Sequence, residues 1–468
     1  MNINISLFTI LLSLVEIISI QFLYQIIYNK LFHPLRHYPG PFWAGATRLW
    51  QIWHFIRGEE ANEFIKAVQK YGPVIRISPT MLLVADAKAL PAIYHRHDTK
   101  SRFYLSSLFE AQGVILIRNP DDHAAHRRLL GAPYSLSNIQ RMEPLLNHFI
   151  TWATYLSYDA ITEVSFRKPV GFVEAGHDVG NLIKHWLLGL KIVGLAGRIP
   201  QLPEWFSRSW LRNLVIIKPG QTGLGAILSK ADEVLEQRNL DLKVEGAVKP
   251  EKGDENYDFL QFFMDVRTPD GKYLDSKLIR AELLNILGAG GDGFRGMASA
   301  FMAEVMTSIA IRTRLYTEIS TAVAAGELSQ PVPTYAEVTK SLPFFVACIR
   351  ETIRLHPIAS SIFPREMVPG DPELVLCGRV VPVGTEVTSH PLLCQRDRGV
   401  FGEDAGVFKP ERWLGDLARA KEYEKYIFTW GYGSRVCLGK HFSMAVLYKG
   451  MLAVRETLSL CSDTLSEC

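Results

Sequence analysis

The hydrophobic pattern begins with a long apolar stretch at the N-terminus. Residues 5–28 carry one charge, Glu16, and about 20 apolar residues are enough to span the core of a bilayer. No basic residue precedes the stretch and no small-residue cleavage site follows it, unlike a cleaved signal peptide. Lys30, His33 and Arg36 come next, and positive charge beside a span stays cytosolic. The pattern predicts a transmembrane anchor in residues 1–30, with the body facing the cytosol.

A proline-rich segment separates this anchor from the body. Pro34, Pro39 and Pro41 stop the helix from continuing, because proline lacks an N–H and has a fixed φ. The same restriction makes the segment stiff rather than freely flexible. We therefore expect a hinge over residues 31–45, followed by one large domain over residues 46–468.

Helical periodicity dominates the body. Apolar positions recur at helical spacing in four segments, and shorter alternating runs predict strands. A polar stretch over residues 241–257 predicts a surface loop. The predicted helices cover residues 61–71, 138–158, 223–240 and 337–355, and the predicted strands cover residues 74–77, 81–85, 374–377 and 386–388. The fold class is therefore mainly α with a small β portion.

One predicted helix, over residues 276–310, is apolar on all sides and unusually rich in glycine. A helix that is apolar on all sides is usually buried. Each glycine in its interior, however, lowers the stability of the helix by about 1 kcal/mol relative to alanine. Either a flat group approaches the backbone here, or the helix opens locally, or a loop divides it into two helices. Asp292 lies among the glycines, where a carboxylate must be paired or hydrated. The glycines are Gly288, Gly290, Gly291, Gly293 and Gly296.

Composition narrows the class of protein. The chain has 468 residues, of which 48% are hydrophobic and 21% charged, with a formal net charge of +3. These values exclude a disordered chain, a coiled coil and the strong basic bias of many nucleic-acid-binding proteins. The six cysteines form neither a zinc-binding pair nor a CxxC motif. They indicate reduced thiols, in agreement with a cytosolic body.

The most informative cysteine is Cys437, in the segment WGYGSRVCLGKH. Gly431 and Gly433 permit a tight turn, and the apolar run after Gly439 predicts a helix that begins just beyond the cysteine. The free N–H groups and positive end of a helix dipole favour a thiolate. Arg435 supplies a cation for an anionic group on the same ligand. By itself, however, Cys437 could equally be a small buried apolar residue.

Two further motifs change that interpretation. Glu351 and Arg354 are three residues apart, so they share one face of a helix. Arg412 lies in FKPERW, upstream of Cys437. A glutamate held by two arginines forms charge-assisted hydrogen bonds that fix local structure.

Together these motifs resemble the cytochrome P-450 superfamily of haem-thiolate monooxygenases, over nearly the whole chain. The haem-loop motif of the family matches Trp430, Gly433, Arg435, Cys437 and Gly439, with tryptophan in place of phenylalanine. Other motifs match Glu351 with Arg354, Arg412, His123 with Arg127, and residues 289–292. The surrounding sequence is similar to that of membrane-bound members from filamentous fungi that act in secondary metabolism.

The resemblance implies roles for these residues. Cys437 would be the axial ligand of a haem b iron, and a thiolate ligand favours O–O cleavage. Gly290 and Gly291 would lie over the distal haem face, and Trp430 would pack near the thiolate, with Gly433 and Gly439 shaping its loop. The propionates would pair with Arg435, His123, Arg127 and Arg365. Residues 46–468 would form the haem-thiolate catalytic domain.

The resemblance also implies partners. Electrons would come from NADPH through NADPH–cytochrome P-450 reductase, with cytochrome b5 as a second donor. The substrate would be a small apolar molecule oxidised with O2. The protein would be a single-pass protein of the endoplasmic reticulum membrane.

The sequence departs from the family pattern in two places. The family usually places threonine after the acidic residue of the central helix, where its hydroxyl holds water for oxygen activation. Here that position is Gly293, which has no side-chain donor, so Asp292 and Gly293 are the candidate catalytic positions for proton delivery. The chain also ends 31 residues after Cys437 (468 − 437). We therefore expect the C-terminal β hairpin of the family to be missing or truncated.

Three functions fit these observations. The first is a monooxygenase that oxidises an apolar intermediate in a fungal secondary-metabolite pathway. The second is a rearranging or dehydrating haem-thiolate enzyme that needs no reductase, which the glycine at position 293 would suit. The third is an inactive haem-binding remnant, which a truncated C-terminus would suit.

Overall fold

Helices make up most of the computed structural model, which describes residues 7–95, 99–105, 113–130, 153–199, 220, 224–243, 257–330 and 332–453. The α-helices cover Leu7–Leu31, Phe42–Ala46, Leu49–Ile56, Glu60–Tyr71, Leu90–Ile93, Pro120–Leu130, Ala153–Phe166, Phe172–Ala175, Leu182–Arg198, Leu224–Asp241, Phe259–Asp265, Ser276–Thr307, Ile309–Ala324, Tyr335–Ser341, Pro343–Leu355, Pro391–Cys394, Arg398–Phe401, Leu417–Glu424 and Lys440–Ala453. The fold is mainly α with a small β portion, as the periodicity predicts.

The strands form a five-stranded sheet and a separate hairpin. In the sheet the order is β1 (Val74–Ser78), β2 (Met81–Val84), β7 (Glu386–Ser389), β4 (Arg365–Glu366) and β3 (Thr99–Lys100), while β5 (Val375–Leu376) pairs with β6 (Arg379–Val380). β2 and β7 are parallel, and the other neighbours are antiparallel. The four predicted strands are confirmed. β3, β4 and β6 have two residues each, which is too short for alternation to reveal.

The helix predictions differ from the structure where proline intervenes. Two predicted helices agree with Glu60–Tyr71 and Leu224–Asp241. The predicted helix over residues 337–355 is instead two helices, Tyr335–Ser341 and Pro343–Leu355. The break falls at Pro343 because proline has no N–H with which to continue the first helix.

Some predictions lie outside the described residues. The predicted helix over residues 138–158 is described only from Ala153 onward, as the start of Ala153–Phe166. Residues 244–256 of the predicted polar loop are not described, and neither are residues 454–468, to which the expectation of a shortened C-terminus applies.

The glycine-rich segment lies within one continuous helix, Ser276–Thr307, called the central helix below. Its N-cap is Asp275, whose side chain accepts a hydrogen bond from the backbone N–H of Lys277 at 3.0 Å. The prediction of a loop that divides this segment is therefore wrong. Apolar side chains of the central helix contribute to the largest core cluster, including Leu283, Met297 and Phe301.

The N-terminal segment forms a helix over Leu7–Leu31, called the terminal helix below. Its apolar side chains are exposed from Val15 onward, for example 69% for Ile20. Its last turns contact the body: the Asn29 amide donates to the Ala46 carbonyl, and Arg76 donates to the Asn29 carbonyl, both at 2.9 Å. Among the residues whose side chains are described, one stretch is long and apolar enough to cross a membrane by length and composition, and it is Val179–Arg198 rather than the terminal helix.

Candidate active site

A tight loop presents Cys437. Gly431 and Gly433 have φ values of +77° and +60°, which side chains rarely adopt. A Cβ atom at Gly433 would also lie 2.5 Å from the Tyr94 carbonyl oxygen. The backbone N–H of Cys437 donates to the Trp430 carbonyl at 2.6 Å, so a hydrogen bond closes the turn directly at the cysteine. The helix Lys440–Ala453 begins three residues later.

The Cys437 thiol is exposed, yet burial of its surroundings raises its pKa. Backbone N–H groups of Gly439 and Lys440 lower that pKa, as do the charges of Arg127 and Lys440, but desolvation outweighs them. The predicted contribution of the helix N-terminus is therefore present, but burial outweighs it. The residue is exposed, so a ligand can reach the thiol. A bound metal cation would deprotonate it outright.

The described residues contain no group of three or more His, Cys, Asp or Glu side chains that could hold a metal ion. One thiol cannot complete a tetrahedral or octahedral shell by itself. An iron whose other ligands come from a porphyrin needs only one axial protein ligand, so the lone exposed thiol fits a haem.

Buried cations gather close to the cysteine loop. His123 and Arg365 are about 95% buried, and Arg435 and Arg127 are partly buried. Burial and mutual repulsion lower the pKa of His123 to about 3 and those of Arg435 and Arg365 to about 10. The resemblance predicted these four residues at one site, and the structure brings them together.

Lys100 is a fifth cation, which the sequence did not reveal. It lies on β3 opposite Arg365 of β4, and it is 95% buried. Its ammonium donates to the Ile115 carbonyl. Burial and the charges of Arg435 and Arg127 lower its pKa to about 7. Only the pairing of two very short strands places Lys100 here, so no local sequence signal could have identified it.

Several of these cations donate hydrogen bonds to backbone carbonyl groups. Arg435 donates to the Ile117 and Arg118 oxygens at 3.3 Å, Arg365 donates to Phe363 at 3.0 Å, and Arg127 donates to Val436. The cations lie close enough to lower one another's pKa. A cluster of positive charge favours carboxylates, so the two propionates of a haem fit it.

The central helix borders this space, but the predicted glycines face elsewhere. A Cβ atom at Gly290 would lie 2.6 Å from Ile161, and one at Gly291 would overlap the Tyr158 ring. The prediction that these two glycines face a haem is therefore wrong, because they allow the helix Ala153–Phe166 to approach. The flat group that approaches Gly288 is the indole ring of Trp186.

Open space instead borders two other positions of the central helix. A Cβ atom at Gly293 would meet nothing within 4 Å, and Ala289, one turn earlier, is exposed. These two positions share a helix face because they are four residues apart. The side chain of Asp292 lies outside the described part of the structure. The missing threonine hydroxyl therefore leaves space for water or substrate.

A buried ion network lies on the opposite side of the cysteine loop. The Glu351 carboxylate accepts from Arg354 Nη2 at 2.7 Å, Arg412 Nε at 3.3 Å and Trp413 Nε1 at 2.9 Å. Glu351 and Arg354 are fully buried. The predicted grouping of one glutamate with two arginines is thus present, and it joins the helix Pro343–Leu355 to the segment around Arg412.

Gln395 connects this network to the cysteine loop. Arg354 donates to the Gln395 carbonyl at 2.7 Å, and the Gln395 amide donates to the Ile353 and Arg354 carbonyls. Its side-chain oxygen accepts from the backbone N–H of Thr429 at 2.7 Å. Thr429 precedes Trp430, whose carbonyl accepts the hydrogen bond from the backbone N–H of Cys437. The ion network therefore positions the thiol through a short chain of hydrogen bonds that spacing alone could not indicate.

Comparisons with known proteins agree with this geometry. The sequence model of the family described as cytochrome P450 matches residues 147–454. Quiannulatic acid synthase from Emericella variicolor is 52% identical over 448 residues, which cover 91% of this chain and 87% of that protein. Cytochrome P450 monooxygenase gsfF from Penicillium aethiopicum is 28% identical over 455 residues, with 90% and 87% covered.

The fold also matches a solved structure. Retinoic acid-bound cyanobacterial CYP120A1 superposes with a TM-score of 0.62 over 86% of this chain and 89% of that chain, at 15% identity. This likeness concerns the fold alone, whereas the family match and the 52% identical relative concern the sequence. The chain therefore belongs to the cytochrome P450 family and is a monooxygenase whose haem is held by a cysteine thiolate.

Proposed function

We propose that Cys437 is the axial ligand of the haem iron. The observation that carries this proposal is the exposed Cys437 thiol beside the charge of Arg127, which belongs to a cluster of five cations. Arg435, His123, Arg127, Arg365 and Lys100 would hold the propionates. Haem b, once bound, supplies the reductive activation of O2 and the transfer of one oxygen atom to the substrate.

The residues of the chain then have separate tasks. The chain Glu351–Arg354–Gln395–Thr429 holds the cysteine loop in place. Ala289 and Gly293 leave room above the haem, and water beside Gly293 would deliver protons with Asp292, because glycine has no hydroxyl. The substrate would bind in the open space beside Ala289 and Gly293.

We propose NADPH–cytochrome P450 reductase as the electron donor, with cytochrome b5 as a second donor. A concavity of about 230 Å³ lies behind the cysteine loop, and among the charged residues that line it Arg350, Lys425 and Lys440 outnumber Glu424. Positive charge around a concave surface suits an acidic protein partner, because complementary charge speeds encounter. Lys440 begins the helix that follows Cys437, so a partner bound there would lie close to the haem.

The substrate proposed is a small apolar intermediate of a fungal secondary-metabolite pathway. The 52% identical relative is named as a synthase of an acid. By analogy, this enzyme would oxidise one carbon of its substrate through an alcohol and an aldehyde to a carboxylic acid. Each of the three rounds consumes one O2 and one NADPH with one proton. One oxygen atom enters the substrate in each round, and the other leaves as water. The gem-diol formed in the second round loses one further water to give the aldehyde, so the acid carries two oxygen atoms.

The protein is further proposed to be a single-pass protein of the endoplasmic reticulum membrane. Residues 1–30 would be the anchor, residues 31–45 a hinge and residues 46–468 the cytosolic catalytic domain. The support is the terminal helix, whose apolar side chains are exposed. Tyr24 and Tyr28 near its end suit a membrane interface.

The test is the ferrous–CO spectrum of the full chain with and without the thiol. The wild type should show the red-shifted Soret band of thiolate ligation, and Cys437→Ala should lose it. Cys377→Ala is the matched control, because Cys377 is also an exposed free cysteine but lies in the small hairpin. A thiolate-type spectrum in Cys437→Ala would overturn the ligand assignment.

A turnover assay separates the alternative activities. Membranes that contain the enzyme and the reductase should consume NADPH and form an oxidised product from the apolar substrate. Product without reductase would instead identify a rearranging or dehydrating enzyme. Haem binding without any product from the pathway substrate would identify a remnant.

A further inference from the structure

A large cavity lies between the terminal helix and the sheet, away from the cysteine loop. Its volume is about 970 Å³, at the upper end of the range for ligand sites. One wall is the last part of the terminal helix, including Phe22, Tyr24 and Tyr28. The opposite wall is formed by the start of the helix Leu49–Ile56 and the ends of β2 and β7. Nothing in the proposed reaction uses this space.

The cavity contains an incompletely satisfied ion pair. Arg48 Nη2 lies 2.5 Å from Glu386 Oε2 and 2.7 Å from Thr80 Oγ1. Glu386 is 94% buried. Among the described residues, Arg48 Nη1 and Glu386 Oε1 are buried atoms without a hydrogen-bond partner. A buried polar atom that makes no hydrogen bond destabilises the folded protein, so this pair favours a ligand that brings one acceptor and one donor.

The charges of the lining specify the ligand further. Arg48, Arg102, Glu366 and Glu386 are the arginines and glutamates of the lining. Glu366 also pairs with Arg118 at 2.8 Å, so the pair of Arg48 with Glu386 is the part of the lining that a ligand can complete. A purely anionic ligand would gain from the arginines but would be repelled by the glutamates. An apolar ligand would leave Arg48 Nη1 and Glu386 Oε1 unsatisfied. A zwitterion whose phosphate and primary ammonium are adjacent complements the pair, because the phosphate accepts from arginine and the ammonium donates to carboxylate.

The position of the cavity along the terminal helix indicates that its ligand comes from the membrane. It lies beside the last two turns of the apolar terminal helix, where Tyr24 and Tyr28 stack at 6.4 Å between ring centroids. Tyrosines are enriched at the level of lipid headgroups. Apolar side chains that include Leu49, Ile52 and Ile199 complete the lining and provide a surface for acyl chains.

We infer that this cavity binds one phosphatidylethanolamine molecule, with its phosphate at Arg48 and its ammonium at Glu386. The inference rests on the proposed membrane anchoring of the terminal helix. The bound lipid fills the space between the anchor and the body, so it fixes the angle at which the catalytic domain stands on the membrane. It is a structural lipid rather than a substrate.

The test uses the full chain, purified in detergent and depleted of lipid. Phosphatidylethanolamine, phosphatidylcholine and phosphatidylglycerol with identical acyl chains are titrated, and native mass spectrometry measures bound lipid. We expect phosphatidylethanolamine to bind about tenfold more tightly than the other two, which corresponds to about 1.4 kcal/mol. Phosphatidylcholine is the sharpest comparison, because its quaternary ammonium has no N–H for Glu386. Soluble glycerophosphoethanolamine should compete poorly because it lacks acyl chains.

Variants locate the site. Glu386→Gln should remove the preference for phosphatidylethanolamine over phosphatidylcholine, and Arg48→Gln should weaken both lipids about tenfold. Arg57→Gln is the matched control, because it breaks an exposed pair with Glu59 outside the cavity. Ile52→Trp fills the cavity without a change of charge and should also reduce binding. The ferrous–CO spectrum reports that each variant is folded.

Several results would overturn the inference. They are equal binding of the three lipids, wild-type binding in Glu386→Gln or in Ile52→Trp, and full competition by the soluble headgroup. Alkaline carbonate extraction of wild-type membranes shows whether the lipid site or the membrane anchor is the hypothesis that fails. A protein that resists extraction but shows no headgroup preference contradicts only the lipid site, whereas release by carbonate contradicts the anchor itself.

Discussion

Gly293 leaves space in the central helix at the position where its relatives usually carry a hydroxyl. Because a Cβ atom there would meet nothing within 4 Å, Gly293→Thr should fit without a clash. We expect less peroxide and more product per NADPH consumed, since a hydroxyl would hold the water that delivers protons. The change also removes a helix-interior glycine, which stabilises by a few tenths of a kcal/mol.

Gly290→Thr is the control for this prediction. Its side chain would collide with Ile161, so the variant should lose stability rather than gain coupling. Measurement of peroxide and product in both variants separates a chemical effect from a packing effect. Tight coupling in the wild type, unchanged in Gly293→Thr, would show that Asp292 and water suffice.

Glu282 is a second residue of the central helix with a testable property. It is 99% buried and accepts from the backbone N–H of Val114 at 2.8 Å. Burial raises its pKa from 4.5 to about 7. The folded protein therefore keeps a proton that the unfolded chain loses between pH 4.5 and 7, so stability falls as pH rises through that window, by up to about 3 kcal/mol.

Urea denaturation of wild type and Glu282→Gln at pH 5 and pH 7 checks this sign. The wild type should lose stability relative to Glu282→Gln on going from pH 5 to pH 7, because glutamine does not titrate. Glu233→Gln serves as the exposed control, and it should follow the wild type. An equal pH dependence in wild type and Glu282→Gln would mean that the carboxyl ionises freely in the folded protein.

At the scale of elements, the helix Pro343–Leu355 anchors the cysteine loop. In Glu351→Ala, Arg354 would remain buried without its partner, which costs about 3–5 kcal/mol. We expect little haem-loaded protein, measured by the ferrous–CO absorbance per milligram. Glu424→Ala removes the partly exposed partner of Arg350 and should cost far less. A haem-replete Glu351→Ala protein would show that the network does not position the thiol.

Elements also show how far the sequence can predict the structure. The cysteine loop and the pairing of Glu351 with Arg354 depend on residues close in sequence, so spacing predicts them. The strand that pairs with Lys100 is hundreds of residues away in the sequence, and the partners of Gln395 are tens of residues away. Only the folded chain brings these two residues to the site. The glycines of the central helix indicate a close approach, but composition does not say from which side. The break at Pro343 could have been predicted from the sequence, since proline cannot continue a helix.

At the scale of the whole molecule, deletion of residues 1–30 should weaken membrane attachment without loss of haem. The body loses the contacts of Asn29 with Ala46 and Arg76. No residue of the terminal helix whose side chain is described belongs to the core cluster around the central helix. Fractionation after carbonate treatment, with the ferrous–CO spectrum of each fraction, measures both effects. Loss of all folded protein would mean that the terminal helix belongs to the folding core.

The cation cluster has a consequence for biosynthesis. Lys100, His123, Arg127 and Arg365 leave the ribosome before Cys437, so the nascent chain carries the positive groups for haem before it has the ligand for iron. Haem can be captured with its complete set of partners only after the cysteine loop and the helix Lys440–Ala453 have been made. The yield of folded enzyme should therefore follow the haem supply of the expressing cell rather than the rate of translation.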